Sequence, residues 1–186
     1  MSETIIENKD FIENESKILE ISADEYRDKI FEVFPWVMEK PEIEMTAVWI
    51  ENKEKWHRVR IRLEWDEVVI EEKIKLEGNN SKIKSNKEIP HKNKSDTFDG
   101  EIESWKLEWY EEISRSIKTR ISFVLDNWVK IEFDKYSDLG WIEIPEFAEI
   151  EWPNYETIID TAEKIGISED KLLNWSTQEL IEFYKK

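Results

Sequence analysis

Two hydrophobic periods alternate along this chain and predict a mixture of strands and helices. Segments in which apolar and polar residues alternate have the two-residue period of a β-strand with two different faces. We predict strands over residues 11–20, 43–50, 58–63, 68–76, 113–125, 129–136 and 147–151. Short turns around Trp65 and Trp128 connect two pairs of these strands, which predicts two antiparallel hairpins.

Helical signals lie between and after the strands. A capping box at residues 22–25 predicts a helix that continues to about residue 34 and ends before Pro35. Four further short helices are predicted over residues 96–106, 154–165, 168–173 and 176–184. The segment 78–95 is rich in Asn, Lys and Ser, which is typical of a connection, and we predict a mobile loop there.

The length and the distribution of apolar residues bound the domain organisation. The 186 residues suffice for one domain with a core. Residues 1–10 are acidic and polar, so we predict a flexible tail followed by a single domain over 11–186. No apolar stretch approaches the roughly 18 residues that span a membrane, and the N-terminus lacks the features of a signal peptide. We therefore expect a cytoplasmic protein that does not bind membranes.

The polar faces of the predicted strands carry charges in an unusual pattern. Six faces share side chains two residues apart: Glu13, Glu15 and Lys17; Arg58, Arg60 and Arg62; Glu71, Lys73 and Lys75; Lys118 and Arg120; Glu132 and Asp134; Glu149 and Glu151. The opposite faces are apolar, as at Val59, Ile61 and Leu63. Such charges usually form a solvated face. If helices cover the apolar faces, the charges instead line the inside of a closed β-barrel, where they must pair or bind ions.

Composition narrows the chemistry that this interior could support. The net charge of -17 argues against a basic face that binds nucleic acid. There is no cysteine, and the chain has two histidines, His57 and His91, which argues against sulfur-based or His-rich metal sites. A metal would then sit on oxygen ligands, the preference of Mg²⁺, Mn²⁺ and Ca²⁺.

Tryptophan and glycine occur in unexpected proportions, with 10 Trp and 4 Gly. Trp65 and Trp128 occupy turn positions where glycine usually supplies a positive φ angle. We hypothesise that the source reads a stop codon as glycine and that this sequence was translated with that codon as Trp. The alternative is a chain that uses tryptophan at these turns. For this reason we assign no function to any Trp.

The ordered motifs resemble the CYTH family, which includes class IV adenylate cyclases, thiamine triphosphatases and inorganic triphosphatases. The Glu-x-Glu-x-Lys hallmark of its first strand matches residues 13–17, and its closing Glu-x-Glu matches residues 149–151. The positions between these motifs that match the family are Arg60, Arg62, Lys73, Lys118, Arg120 and Asp134. Trp152 stands where the family often has glycine. The resemblance covers about residues 11–186, with a poor match over 84–103.

The resemblance implies an α+β fold, a closed antiparallel tunnel barrel of about eight strands with helices packed outside. It implies that a triphosphate binds inside on Lys17, Arg60, Arg62, Lys73, Lys118 and Arg120. It further implies that Mg²⁺ or Mn²⁺ is held by Glu13, Glu15, Asp134, Glu149 and Glu151. The residues expected to take part in catalysis are Glu13, Glu15, Lys17 and Glu151.

Three functions fit this reading. The first is metal-dependent hydrolysis of a nucleoside, thiamine or inorganic triphosphate. The second is a class IV-type adenylate cyclase, in which the 3′-hydroxyl of the nucleotide attacks instead of water. The third is a protein that binds triphosphate or polyphosphate without catalysis. We expect a small-molecule triphosphate as partner and no nucleic acid, and we leave a homodimer open.

Overall fold

A single antiparallel sheet forms the body of the protein in the computed structural model, which describes residues 11–76, 82–139, 142–152 and 154–185. The tail predicted at 1–10 lies outside the described residues. The strands are β1 (Phe11–Ile18), β2 (Met38–Glu39), β3 (Ile43–Asn52), β4 (His57–Glu64), β5 (Glu67–Lys75), β6 (Lys84–Pro90), β7 (Glu111–Val124), β8 (Lys130–Asp138) and β9 (Phe147–Trp152).

The sheet closes on itself. Its strand order is β2-β7-β3-β4-β5-β6-β1-β9-β8, and a further pairing joins β8 to β7. Eight strands therefore form a closed ring, while the short β2 pairs with β7 outside it through Met38↔Val124 and Glu39↔Phe123. Both predicted hairpins are present as β4–β5 and β7–β8. The predicted α+β barrel with about eight strands is confirmed.

Helices cover part of the outside of the barrel. They are α1 (Ala23–Val33), α2 (Phe98–Lys106), α3 (Tyr155–Lys164) and α4 (Thr177–Tyr184), with a short 3₁₀ turn at Glu169–Lys171. The predicted capping box is present, because the Ser22 and Glu25 side chains each accept a backbone N–H at the start of α1. Within the described ranges, no helix is both long and apolar enough to cross a membrane.

The apolar core lies between the outer face of the sheet and the helices. One cluster joins Ile30 of α1 and Ile158 of α3 to Phe123, Ile131 and Ile150 of the strands beneath them. A second cluster lies under α2, where Ile102 and Trp105 pack on the outer faces of β3, β4 and β5. Hydrophobic burial of this kind supplies the main stabilising free energy of the fold. It also directs the alternate, charged faces of the strands into the barrel.

One prediction was wrong in the middle of the chain. The segment 78–95 was predicted to be a mobile loop, but the structure has strand β6 at Lys84–Pro90, which pairs with both β1 and β5. The polar side chains of β6 face a polar interior, so the strand lacks the apolar alternation that marks a surface strand. The predicted helix over 168–173 is also shorter than expected, a 3₁₀ turn at Glu169–Lys171.

Among the described residues, four tryptophans adopt the left-handed backbone conformation that favours glycine. The φ angles are 52° at Trp56, 56° at Trp65, and 68° at both Trp109 and Trp128. All four side chains are between 61% and 92% exposed, so little packing offsets the backbone cost. The expectation of positive φ at Trp65 and Trp128 is confirmed. The recoding of these residues stays a hypothesis.

Candidate active site inside the barrel

Strand register brings opposite charges together on the inner face of the barrel. Directly opposed pairs include Lys17↔Glu149 between β1 and β9 and Arg60↔Glu71 between β4 and β5. Strand β6, placed between β5 and β1, sets Glu88 opposite Lys73. Directly opposed residues of an antiparallel pair project to the same side, within reach of one another.

The interior charges form one continuous chain of ion pairs. It runs through Lys118, Asp134, Arg120, Glu149, Lys17, Glu15, Lys73, Glu88, Arg60, Glu71 and Arg62 in that order. These residues come from β1, β4, β5, β6, β7, β8 and β9, and each of their side chains is less than one fifth exposed. A solvated face does not bury its charges in this way, so the interpretation of the charged faces as a barrel interior is confirmed for these residues. Arg58 and Lys75, which belong to the same predicted faces, are instead exposed.

Lys73 is the central cation of one half of this interior. Its Nζ lies 2.6 Å from Glu13 Oε2, 2.8 Å from Glu15 Oε2 and 3.0 Å from Glu88 Oε1. Lys84 Nζ approaches the other oxygen of Glu15 at 2.8 Å. Burial opposes the charge on Lys73, but the surrounding carboxylates outweigh it and raise the pKa of its ammonium group. Lys73 therefore stays charged and holds three acidic side chains together.

Arg120 is the central cation of the other half of the barrel interior. It donates to both carboxylate oxygens of Asp134 at 2.6 Å and to Glu149 Oε2 at 3.0 Å, and it also pairs with Glu132. Lys118 Nζ donates to Asp134 Oδ2 at 2.5 Å. Asp134 is fully buried, and both of its oxygens are already engaged by these two cations. Its carboxylate thus positions Arg120 and Lys118.

Two groups of carboxylates converge near these cations. One oxygen from each of Glu13, Glu15 and Glu151 lies within 4.8 Å of the others, and the same holds for Glu132, Glu149 and Glu151. Glu151 belongs to both groups. Lys130 Nζ lies 3.4 Å from Glu151 Oε2, and the half-exposed side chain of Lys130 lies at the edge of the cluster. The five carboxylates of the two groups are contacted by five cations: Lys17, Lys73, Lys84, Arg120 and Lys130.

The ionisation of these carboxyl groups divides them into two kinds. Burial and the nearby Glu151 raise the pKa of Glu13 to about 9, and burial raises the pKa of Glu132 to about 7. Burial also opposes the charge on Glu15 and Glu149. There the adjacent lysines, above all Lys17, outweigh it and lower both pKa values. Glu15 and Glu149 therefore stay ionised at neutral pH, whereas burial favours the neutral, protonated form of Glu13.

The donor set fits a divalent metal that prefers oxygen. Both groups offer only carboxylate oxygens at converging positions, which is the chemistry of a Mg²⁺ or Mn²⁺ site. A cation there would also favour the ionised forms of Glu13 and Glu132, whose pKa values burial raises. The residues that could hold it are Glu13, Glu15 and Glu151 in one group, with Glu132 and Glu149 in the other.

Most residues singled out in the sequence come together here. Glu13, Glu15, Lys17, Glu149 and Glu151 join the interior, as do the five expected phosphate-binding residues that follow Lys17 in the chain. Asp134 lies in the interior but outside the two convergent carboxylate groups, and the residue that takes its place there is Glu132. Sequence reasoning did not select Glu71, Lys84, Glu88, Lys130 or Glu132 as site residues. In β6, Lys84 and Glu88 are four residues apart and therefore lie on the same face of a strand, which was the available sequence signal.

The interior is close to electrically neutral, in contrast to the whole chain. Its acids are Glu13, Glu15, Glu64, Glu71, Glu88, Glu132, Asp134, Glu149 and Glu151. Its bases are Lys17, Arg60, Arg62, Lys73, Lys84, Lys118, Arg120 and Lys130. Nearly all of the net charge of -17 therefore belongs to residues other than these.

A closed eight-stranded barrel with a charged interior is the fold that the motifs predicted, the tunnel fold of CYTH proteins. No protein-family profile and no curated relative matches the chain. Among solved structures, the PH1012 protein of Pyrococcus horikoshii is similar with a TM-score of 0.68 and 20% identity, over 91% of this chain and 99% of that one.

Two further solved structures have names that concern triphosphates or cyclisation. A candidate adenylate cyclase from Vibrio parahaemolyticus has a TM-score of 0.64 at 14% identity, with 92% of this chain and 98% of that chain covered. A candidate adenylyl cyclase from Hippeastrum, with a dominant triphosphatase activity, has a TM-score of 0.59 at 11% identity, with coverages of 92% and 95%. At these identities the similarity establishes the fold, and activity has to be argued from the residues.

Proposed function

We propose that this protein hydrolyses a small-molecule triphosphate inside the barrel, with Mg²⁺ or Mn²⁺ as cofactor. The observation that carries the proposal is the continuous chain of buried ion pairs with two convergent carboxylate groups at Glu151. Buried cations with such partners are suited to a polyanion, because phosphate oxygens can replace the carboxylates as hydrogen-bond acceptors. The triphosphatase activity of the Hippeastrum protein, which has the same fold, supports this reading.

The basic residues would bind and orient the triphosphate. Arg60, Arg62 and Arg120 offer guanidinium groups for bidentate contacts with phosphate oxygens, whereas Lys73 and Lys118 act as point charges. Lys17 is almost completely buried between Glu15 and Glu149. We therefore assign Lys17 chiefly to positioning these two carboxylates.

The acidic residues would hold the metal. Glu13, Glu15 and Glu151 form the group that the sequence motifs also predict as ligands, and Glu149 links this group to Arg120. A divalent cation bound there would compensate the charge that develops during phosphoryl transfer and lower the pKa of a bound water. The protein itself keeps donor and acceptor groups in fixed positions, which lowers the cost of reorganisation during the reaction.

A class IV-type adenylate cyclase is the second candidate, favoured by the candidate cyclase from Vibrio parahaemolyticus with the same fold. Both reactions need a bound triphosphate and compensation of phosphate charge. They differ in the nucleophile, which is water in one and the 3′-hydroxyl of ATP in the other. A binder without catalysis remains the third candidate, since one fold can serve several functions.

Turnover assays separate the three candidates. The protein is incubated with ATP, tripolyphosphate or thiamine triphosphate in the presence of Mg²⁺ or Mn²⁺, and released phosphate, pyrophosphate and cyclic AMP are quantified. We expect phosphate release that stops when the metal is chelated. Cyclic AMP with pyrophosphate would establish the cyclase instead. Tight triphosphate binding without any product would leave the non-catalytic binder, and turnover that survives excess chelator would contradict the metal requirement.

Two charge-neutralising variants test the assigned residues. Lys73→Gln removes one phosphate-binding charge, and the loss of a charged hydrogen bond of about 1.5–3 kcal/mol should weaken triphosphate binding roughly tenfold to a hundredfold. Glu151→Gln should lower turnover at least about tenfold, with a smaller effect on triphosphate binding. Calorimetry with a slowly hydrolysed triphosphate measures binding, and thermal melts check folding.

A matched control uses the ion pair between Lys53 and Glu111, which lies outside the barrel with both side chains about 70% exposed. Lys53→Gln and Glu111→Gln make the same chemical changes and should leave binding and turnover unaltered. If Lys73→Gln and Glu151→Gln fold and behave like these controls, the assignment of the barrel interior as the active site is wrong.

A further inference from the structure

Both histidines of the chain meet at one carboxylate on the outside of the barrel. His57 begins β4, Glu72 lies in β5, and His91 directly follows β6. These positions alternate with the inward-facing charges of the same strands, so the three side chains project outward. They lie at the end of the apolar cluster under α2, beside Trp105 and Tyr110.

The geometry of this group resembles a set of metal ligands. His57 Nε2 lies 3.0 Å and His91 Nε2 3.9 Å from Glu72 Oε2, and one ligand atom of each residue lies within 4.8 Å of the others. A tetrahedral Zn²⁺ with bonds near 2.1 Å separates its ligand atoms by roughly 3.3 Å. Small side-chain rotations would bring the three atoms to these separations.

Two further observations point to a ligand rather than to an ordinary ion pair. The Nε2 atom of His91 is buried and makes no hydrogen bond, although a buried polar atom normally has a partner. The other ring nitrogen of His57, Nδ1, lies 2.5 Å from the Tyr110 hydroxyl. This contact fixes the ring and directs Nε2 towards Glu72, as the outer hydrogen bonds of metal-bound histidines do.

We propose that His57, Glu72 and His91 bind a transition-metal ion of the Zn²⁺ type. Two imidazole nitrogens and one carboxylate oxygen suit Zn²⁺ and neighbouring metals, whereas the oxygen-only groups inside the barrel suit Mg²⁺ or Mn²⁺. The three side chains are 20–28% exposed, so the fourth coordination position faces solvent and takes water. The site is separate from the barrel interior and does not depend on the proposed function.

The bound metal would join three consecutive strands and the segment that follows α2. His57, Glu72 and His91 come from three different strand regions, and Tyr110 ties His57 to the connection between α2 and β7. Because the metal binds only the folded arrangement, its binding free energy adds to the stability of the fold. The sequence argued against a His-rich metal site because the chain has only two histidines. These histidines are 34 residues apart, so the sequence alone does not show that the strands bring them together.

Zinc itself is the probe for this site. The full-length protein is stripped with a chelator and titrated with Zn²⁺ against a chromogenic competitor, in excess Mg²⁺ that occupies the oxygen sites. We expect one equivalent of Zn²⁺ to bind, and affinity to fall at least about tenfold in His91→Gln and in His57→Gln. Tyr110→Phe, which removes no ligand, should weaken binding by a smaller factor. Co²⁺ should give the intense visible absorption of a four-coordinate site in the parent but not in either histidine variant.

Glu151→Gln is the control for zinc in the barrel interior. This variant should keep the outer Zn²⁺ site, and His91→Gln should keep Mg²⁺-dependent turnover. Thermal melts in the presence and absence of Zn²⁺ give a second readout, with stabilisation expected in the parent and in Glu151→Gln. Equal Zn²⁺ affinity in the parent and both histidine variants would overturn the proposal, as would loss of the bound equivalent in Glu151→Gln.

Discussion

At the scale of single residues, the exposed tryptophans conflict most with the local backbone. A side chain in the left-handed region costs about 1–2 kcal/mol, because its Cβ approaches the following carbonyl oxygen, and glycine avoids this cost. Trp56, Trp65, Trp109 and Trp128 combine such φ angles with exposed side chains. The described part of the chain contains one other non-glycine residue of this kind, Glu20. This concentration in one residue type is what recoding of glycine predicts.

Replacing these tryptophans with glycine should therefore stabilise the protein. We expect Trp65→Gly and Trp128→Gly each to raise the free energy of unfolding by about 1 kcal/mol, since relief of backbone strain exceeds the loss of exposed contacts. Chemical denaturation measures the change. Trp36→Gly is the matched control, because Trp36 is 80% exposed without a positive φ angle, and its substitution should not stabilise. Equal effects at all three positions would contradict the strain argument, and ordinary TGG codons would contradict recoding.

The residue scale also shows why the choice of metal ligands was incomplete. Glu132 and Asp134 lie on the same face of β8, two residues apart, so the sequence does not distinguish them. The structure does, because Asp134, which is held by Arg120 and Lys118, belongs to neither of the two convergent carboxylate groups. Glu132 instead converges with Glu149 and Glu151. Partners from other strands decide this difference, and they are not visible in a local motif.

At the scale of elements, predictions succeeded where one face of a segment is apolar. Strands β3, β4 and β7 pack an apolar face under helices, which gives the period that the sequence displays. The helices α1 and α3 carry clear capping residues, Ser22 and Asn154. Strand β2 has two residues, too few for any period, and β6 is polar on much of its length. The existence of β6 follows from the need of β1 and β5 for a hydrogen-bonding partner.

Proline in β6 tests its role in closing the barrel. Lys87 pairs with Ile12 of β1 and with Ile74 of β5, so this position lies inside the sheet. Lys87→Pro removes the backbone N–H and leaves its acceptor in the sheet unpaired, so we expect a loss of about 1–3 kcal/mol in the free energy of unfolding. Lys87→Ala removes the same side chain and keeps the N–H, so the difference between the two variants measures the backbone contribution. Equal, small effects of both substitutions would restore the interpretation of this segment as a loop.

At the scale of the whole molecule, the barrel reverses the usual distribution of polarity. Its apolar clusters lie outside the ring of strands, and its paired charges lie inside. Buried ion pairs contribute little net stability, because desolvation offsets their attraction. The fold therefore depends on the outer apolar layer, and the interior is free to serve ligand binding. The alternation of charged and apolar faces predicted this arrangement, and the turn at Trp128 predicted the pairing of β7 with β8, whereas the long-range pairings of β1 with β6 and β9 and of β3 with β7 required the structure.

The near neutrality of the interior has a consequence for how fast a polyanion arrives. Most of the net charge of -17 lies on other residues, so a triphosphate in solution approaches a molecule of its own sign. Salt shortens the range of this repulsion from about 30 Å at 0.01 M to about 8 Å at 0.15 M, and it screens buried contacts much less. We expect kcat/KM at fixed free Mg²⁺ to rise over this interval, opposite to enzymes that attract their substrates electrostatically. Charge reversal of exposed acids such as Glu54 and Asp66 to lysine should reduce that rise. A steady fall of kcat/KM with salt would show that encounter is governed by a local positive field at the barrel mouth.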